Sequence, residues 1–237
     1  MLPPKSGIAV IIPTFNEAES IGAVVAALAH HAVDRVIVAD GGSTDGTPEV
    51  ARRAGAEVLH VGMGYGRACL AGAEAAANAG IVVFMDGDGA DDPAAIDELV
   101  APVRSGRYDF VIGSRARGVR EPGSMGSHQI LVGHLAGALI KLFYGVRYTD
   151  MCAYRAIRRD TLLALGMREL TYGWNLEMQM RVARAGLRVL ELPVPYHRRI
   201  GGQSKVAGNL RGSIKAGARI IATFARVASE PVQASGS

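Results

Sequence analysis

Aromatic side chains are scarce: Phe, Trp and Tyr make up 5% of the 237 residues. Single-stranded nucleic acid is held largely by stacking its bases on such rings, so that class of function has little support. Charge argues the same way. The chain has 26 Lys and Arg against 22 Asp and Glu, a net charge of +4. That is too mild for a general polyanion binder, although the basic residues gather late in the chain and point to an anionic partner there. Nucleic acid is therefore not an expected partner. Cysteine is almost absent. Cys69 and Cys152 lack the paired spacing of a zinc site and read as small buried residues in a reducing cytosol. The N-terminus lacks the charged-then-apolar pattern of a signal peptide, and no run reaches the roughly 20 apolar residues that cross a bilayer.

What the chain has in quantity is apolar residues, 49%, and glycine, 30 in all. These allow a sizeable core joined by tight turns and close backbone approaches. The apolar residues arrive in short blocks without polar alternation, each leading into polar residues. Ile8–Pro13 precedes Thr14-Phe15-Asn16-Glu17, and Val36–Ala39 ends at Asp40. Glu57–Val61 enters a glycine-rich loop, Ile81–Met85 ends at Asp86, and the strand from Asp109 leaves a basic loop with Arg115, Arg117 and Arg120. Helical stretches at 19–29, after Pro48, up to Ala79 and at 93–105 separate these blocks. Strands buried on both faces and alternating with helices predict an α/β domain, a mostly parallel sheet flanked by helices. The glycine loop is not a dinucleotide fingerprint. Three residues after Gly64 stands Arg67, and the loop follows the third strand rather than the first.

The block ending in Asp86-Gly87-Asp88-Gly89-Ala90-Asp91-Asp92-Pro93 is the richest in chemistry. Ligands of open α/β sheets bind at the carboxyl ends of the strands. Hard oxygen donors crowded there suit Mg²⁺ or Mn²⁺, ions that usually bring a phosphate with them. Asp92 is expected to cap the helix that begins at Pro93. Capping needs one carboxylate and leaves Asp86 and Asp88 for a metal-diphosphate site.

An ordered set of motifs resembles family 2 glycosyltransferases: Val10–Glu17, Asp40-Gly41-Gly42-Ser43-Thr44-Asp45-Gly46-Thr47, and Met85-Asp86-Gly87-Asp88. Further pieces are Gly113-Ser114-Arg115, Asp150 followed by Tyr154-Arg155, Trp174 to Met178, and Arg199-Ile200-Gly201-Gly202-Gln203-Ser204-Lys205. They narrow the resemblance to the polyprenyl-phosphate sugar synthases, of the dolichyl-phosphate mannose and glucose synthase kind. The similarity runs from about Val10 to Lys205. It implies a single nucleotide-diphospho-sugar transferase domain of the GT-A type over residues 1–208. Pro13, Phe15 and Glu17 would line the nucleotide pocket, with Asp40 toward base or ribose. Asp86 and Asp88 would contact ribose and the metal-diphosphate, while Arg115 or Arg117, Arg199 and Lys205 would hold phosphates. The chain departs from the family pattern at Gly41, where a second Asp is usual, and at Ala90, where the dolichyl-type enzymes often carry Gln. Asp91 would substitute as a metal ligand, or water would. Ala153-Tyr154 replaces the usual Gly-Phe.

The implied reaction is inverting transfer of a hexose from a UDP- or GDP-linked donor, with Mg²⁺ or Mn²⁺, to a polyprenyl phosphate. A divalent metal held by Asp88, with Arg and Lys clamps, answers the charge developing on the leaving diphosphate. Asp150 and Glu177 are the candidate bases, ranked first as acceptor-positioning residues because a phosphate acceptor is already largely ionised. Gly201 to Lys205 reads as a phosphate-binding lid, with Arg199 and Lys205 as its charges. Arg158, Arg159, Arg181 and Arg184 read as solvated surface charge.

A basic amphipathic helix is expected at 209–227, with Arg211, Lys215 and Arg219 on one stripe, followed by a disordered tail at 228–237. The alternative is a helix packed on the sheet with a basic solvent face. Residues 130–146 are almost wholly apolar and read either as a core helix or as a surface lying on something. Together these elements are consistent with a cytosolic protein peripheral at the inner membrane face. Two rivals stand beside this reading: the same chemistry on a small soluble phosphorylated acceptor, and a non-catalytic nucleotide-sugar-binding protein.

Overall fold

The computed structural model describes residues 7–201 and 210–230, with side chains of the second segment from residue 218 onward. The strands are β1 (Gly7–Thr14), β2 (Arg35–Asp40), β3 (Glu57–His60), β4 (Ala79–Phe84), β5 (Phe110–Ser114), β6 (Arg155–Arg158) and β7 (Val189–Pro193). They form one sheet in the order β3-β2-β1-β4-β6-β5-β7. All neighbours are parallel except β6, which runs antiparallel between β4 and β5. The chain steps outward from β1 through β2 to β3, then returns to place β4 on the other side of β1. That reversal opens a crevice at the carboxyl ends of β1 and β4, where open α/β sheets bind ligands.

The unalternated apolar blocks are strands, and those inside the sheet are covered on both faces, whereas β3, at the edge, is only partly buried. Ile8–Ile12, Val82–Met85 and Phe110–Ile112 are buried throughout. The helices are α1 (Ala18–Leu28), α2 (Thr47–Arg53), α3 (Tyr65–Ala75), α4 (Ile96–Arg104), α5 (Ser127–Tyr144), α6 (Arg159–Ala164), α7 (Trp174–Arg184) and α8 (Leu210–Ser229). Asp92 caps the 3₁₀ turn leading into α4, its Oδ1 accepting from the Ala94 N–H at 2.9 Å. The helix expected to reach Ala79 ends at Ala75, and Ala79 begins β4. Sheet pairing outweighs the helix propensity of alanine there. Cys69 and Cys152 are buried and free.

The arginines expected at the surface are tied down instead. Arg159 donates to the carbonyls of Ala73 and Glu74 at 2.7 and 3.1 Å, in the last turn of α3. Arg158 donates to Val103 O in the last turn of α4, and Arg184 to Val227 O in the last turn of α8. Arg181 bridges Glu177 and Glu230. The terminal carbonyls of a helix have no intrahelical donor and carry partial negative charge, and a long cationic side chain satisfies both needs.

The C-terminal helix packs against α7. Arg219, though exposed, is engaged by the protein itself, donating to Glu169 Oε1 and Thr171 Oγ1 at 3.0 and 3.1 Å, so it is not a free cation of an outward basic stripe. The side chains of Arg211 and Lys215 lie outside the described residues. The helix runs to Ser229, past the expected end at 227, and Glu230 is fixed by Arg181 and Arg226. Residues 231–237 lie outside the described residues. Among the described residues, no helix is long and apolar enough to cross a membrane.

Arg159→Met keeps the apolar stem but removes the charged donors to α3. Loss of such hydrogen bonds should cost about 1–3 kcal/mol in chemical denaturation, with nucleotide binding unchanged. A change within about 0.5 kcal/mol, the ordinary range for surface substitutions, would contradict the capping role.

Candidate active site

Loops at the carboxyl ends of β1 and β2 are stitched into a rim. The Asn16 N–H donates to Ser43 Oγ at 2.8 Å, Glu17 N–H to Thr47 Oγ1 at 2.8 Å, and Ala18 N–H to Asp45 Oδ2 at 3.0 Å. In return Asn16 Oδ1 accepts from Thr44 N–H at 2.9 Å. Asn16 adopts a left-handed backbone, φ 55°, which its local hydrogen bonds hold in place. Asp40 is buried and turned into its own loop, accepting from the N–H groups of Gly42 and Ser43 and from Ser43 Oγ. It shapes the rim. At Gly41, a Cβ would stand 3.3 Å from Thr14 O, so a carboxylate at that position would press on β1.

The acidic cluster stands at the end of β4. Gly87 is required between its first two carboxylates, because a Cβ there would meet Thr14 Cγ2 at 2.9 Å. Asp88 Oδ1 accepts from Ala90 N–H at 3.0 Å, while both Nε and Nη2 of Arg199 donate to Oδ2 at 3.1 and 2.6 Å. Asp91 Oδ2 accepts from the Asp86 N–H at 3.1 Å, and Tyr65 donates its hydroxyl to Asp86 Oδ1 at 3.2 Å. Desolvation and the neighbouring Asp88 charge push Asp86 up to about 6; desolvation and Asp86 push Asp91 up to about 8. Arg199 arrives because residues 194–200 run alongside the cluster, with His197 N–H on Ala90 O and Ile200 N–H on Asp88 O. Its Nη2 also lies 3.7 Å from Glu17 Oε1.

A second pair faces the same crevice. Arg115 donates Nε and Nη2 to the two oxygens of Asp150, each at 2.8 Å, and its backbone N–H adds a third bond. The guanidinium stacks over the Tyr196 ring, 5.0 Å from its centroid. Burial pushes the Asp150 carboxyl up, but Arg115 outweighs it and holds the group below the ordinary carboxylate range.

The crevice thus gathers Glu17, Asp86, Asp88, Asp91, Arg115, Asp150 and Arg199 from the residues singled out in the sequence, with Pro13, near the end of β1, and Phe15, on the loop that follows, half-buried beside it. It does not gather Glu177 or Arg117. Glu177 is fully buried, accepting from the N–H groups of Arg168 and Glu169 and from Arg181 and Arg226; it ties α7 to α8. Arg117 turns to Glu191 O on β7. Lys205 lies outside the described residues, as does the lid from Gly202 onward. Tyr65 and Tyr196 are site residues that the motifs did not mark. Tyr65 could have been found from its place at the start of α3, beside a loop whose glycines admit close backbone approach.

Do these residues fit a divalent cation? Among the described residues, no three His, Cys, Asp or Glu converge as a ready-made metal cage. The donor chemistry nevertheless fits Mg²⁺ or Mn²⁺, which take one or two carboxylates and complete the shell with phosphate and water. Carboxylates raised by desolvation and by one another are short of positive charge. Arg199 Nη1 is buried without a hydrogen-bond partner among the described residues, an orphan donor suited to a phosphate oxygen.

Residues 9–166 match Glycosyl transferase family 2. The chain is a family 2 glycosyltransferase. A glycosyltransferase of Mycobacterium tuberculosis is 40% identical over 212 residues, covering 87% of this chain and 93% of that protein. The undecaprenyl-phosphate mannosyltransferase of Micrococcus luteus is 34% identical over 220 residues, covering 85% and 88%. The polyprenol monophosphomannose synthase of Mycolicibacterium smegmatis is 31% identical over 222 residues, covering 87% and 83%. Among solved structures, glucosyl-3-phosphoglycerate synthase of Mycobacterium tuberculosis, in complex with Mn²⁺, UDP-glucose and phosphoglyceric acid, superimposes with a TM-score of 0.74 at 23% identity, over 95% of this chain and 81% of that one. The shared architecture is the GT-A fold.

The raised carboxylates set a pH dependence. Between about pH 4 and 8 the folded glycosyltransferase holds protons on Asp86 and Asp91 that the unfolded chain releases, so this contribution to stability falls as pH rises. Asp91→Asn keeps an oxygen for the Asp86 N–H and cannot titrate. The metal-free wild type should lose more Tm than this variant between pH 5 and 8 in a thermal melt. Parallel curves would contradict the assignment.

Proposed function

We propose that this glycosyltransferase transfers a hexose, with inversion, from a UDP- or GDP-linked sugar to a polyprenyl phosphate, with Mg²⁺ or Mn²⁺ bound at the acidic cluster. The observation that carries the acceptor is the near full-length likeness to two enzymes named for polyprenyl-phosphate mannose synthesis. The crevice supports it: Arg115, locked by Asp150, offers a fixed cation on the side away from the β1–β2 rim.

Pro13, Phe15 and Glu17 line the donor side, and Asp40 holds the turn beside them. Asp88, with Asp86 and Asp91, would hold the cation, which when bound supplies charge stabilisation to the leaving diphosphate. For that, Arg199 must give up Asp88. Its guanidinium is then free for diphosphate oxygens, where a preorganised cation stabilises charge as it develops.

An acceptor phosphate oxygen forms the new bond to the anomeric carbon as the bond to the diphosphate breaks. A phosphate monoester, with a second pKa of roughly 6, is largely ionised near neutral pH and needs no base. Asp150 fits that picture. Arg115 keeps it ionised and engaged, so it seats the phosphate-binding cation rather than accepting a proton.

A second reading, transfer to a small soluble phosphorylated acceptor, is favoured by the likeness to glucosyl-3-phosphoglycerate synthase. Incubation with radiolabelled donor, Mn²⁺ and detergent-dispersed undecaprenyl phosphate separates the two. Label should move into the butanol phase, and Asp88→Asn should slow it by roughly 10²–10³-fold, the scale of losing one key electrostatic group. Label transferred only to an aqueous phosphorylated acceptor would replace the polyprenyl reading with the soluble one. Unimpaired transfer by Asp88→Asn would displace the metal site.

A further inference from the structure

The helix α5 is built inside out. Its buried residues are small, Gly133, Ala136 and Gly137 with Ile140, while Leu131, Leu135, Leu139, Leu142 and Phe143 stand 59, 56, 43, 78 and 56% exposed. These exposed side chains share one face at helical spacing. An apolar patch of this kind on a helix of 18 residues marks an interaction surface. Along its edge runs an open groove of about 450 Å³, lined by Leu131, Leu135 and Ala138 on one side and by His134, Lys141, Arg147 and Tyr148 on the other. From Ser127 to Thr149 the chain has no acidic residue.

We propose that α5 is a monolayer-docking helix: its leucine face enters the headgroup–acyl boundary of an anionic leaflet, and the groove at its edge takes a lipid phosphate headgroup beside Lys141 and Arg147. Charge complementarity selects this occupant. A second copy of the chain, paired about a twofold axis, would set this cation-rimmed face against itself with no carboxylate on α5 to answer it. An anionic leaflet answers both the leucines and the cations.

Position ties the surface to the reaction. The inward glycines let α5 press directly on residues 148–150: a Cβ at Gly133 would stand 3.4 Å from the Asp150 Cα, and one at Gly137 would overlap the Tyr148 carbonyl. The exposed face therefore lies one helix thickness from the Arg115–Asp150 pair. A lipid phosphate could reach that pair while its chain stayed in the bilayer. Phe143 also packs edge-on against Phe224 of α8, centroids 5.5 Å apart, and Ile221 on α8 is 72% exposed, which extends the apolar surface. The stripe once expected to bring α8 to the membrane is not needed, since Arg219 is spent on Glu169. The inference deepens the polyprenyl reading by naming the surface on which such an acceptor is met.

Co-sedimentation with phosphatidylcholine vesicles, with and without phosphatidylglycerol, tests it. The wild type should sediment with the anionic vesicles and be released by salt. Lys141→Gln with Arg147→Gln should weaken partition roughly fivefold per cation. Leu135→Glu, Leu139→Glu and Leu142→Glu together should abolish it. The thermal shift with UDP or GDP and Mn²⁺ should stay unchanged in both variants, which reports that they fold. A wild type that stays in the supernatant, equal binding to vesicles lacking phosphatidylglycerol, or a folded triple variant that still sediments would overturn the proposal. A wild-type dimer in sedimentation velocity, converted to monomer by the triple variant without any vesicle binding, would give the face to a second copy instead. Transfer to detergent-dispersed polyprenyl phosphate without vesicle binding defeats this inference alone. Vesicle binding with an aqueous product defeats the acceptor reading alone.

Discussion

The ion pair between Arg199 and Asp88 is the interaction on which the crevice depends. Asp86, Asp88 and Asp91 stand together where β4 ends, and burial denies them the water that would screen them. Two unit charges about 4 Å apart interact by about 4 kcal/mol at an effective dielectric of 20, so such a cluster needs positive charge to exist at all. Part of it comes from Arg199, whose two donors converge on a single oxygen of Asp88. Protons on Asp86 and Asp91 supply more. Both are replaceable. On the proposed reading Asp88, with Asp86 and Asp91, would hold a divalent cation, and the guanidinium of Arg199 would then be free for diphosphate oxygens. The same contact thus holds the acidic cluster together and keeps its main cation beside the crevice.

The rest of the architecture serves to keep that contact in register. The backbone bonds from His197 to Ala90 and from Ile200 to Asp88 lay the 194–200 segment along the acidic turn, and Tyr196 in the same segment supports Arg115. The loops after β1 and β2 are stitched by side chain to backbone bonds, so the rim on that side is held by the chain itself. On the far side, Glu169 and Glu177 draw α8 onto α7 through Arg219 and Arg226. The N–H of Arg67, in the first turn of α3, bonds to the carbonyl of Leu170, which joins that charged network to the helix carrying Tyr65.

Much of this was legible in the sequence. Unalternated apolar blocks gave β1, β2, β4 and β5 with ends within a residue or two, because burial on both faces leaves no polar position to blur them. Asp92 was readable as a cap, and Asp86 and Asp88 as too many carboxylates for a turn. The antiparallel β6 was not legible: Arg155–Arg158 is short, flanked by arginines, and finds its place only through partners distant in sequence. Glu177 was read towards the acceptor because its motif neighbours are there, but a helix presents one residue in three or four to any one neighbour, and this one faces α8. Arg158, Arg159 and Arg184 were invisible as caps, since the carbonyls they satisfy lie 43 to 86 residues away in the chain. The apolar stretch at 130–146 could be read either as core or as surface. Its inward glycines decided the matter, and only the packing against residues 148–150 shows which way they turn.

The central claim is that Arg199 and a metal-diphosphate compete for Asp88. Isothermal titration of Mn²⁺ into the protein, alone and with saturating UDP or GDP, tests it most directly. The account predicts weak binding by the metal alone, tightened at least about tenfold by the nucleotide, which is about 1.4 kcal/mol of coupling, within the usual range between linked sites. It also predicts that Arg199→Gln binds Mn²⁺ alone more tightly than the wild type and gains less from the nucleotide. Equal Mn²⁺ affinity in both proteins, unaltered by nucleotide, would contradict it.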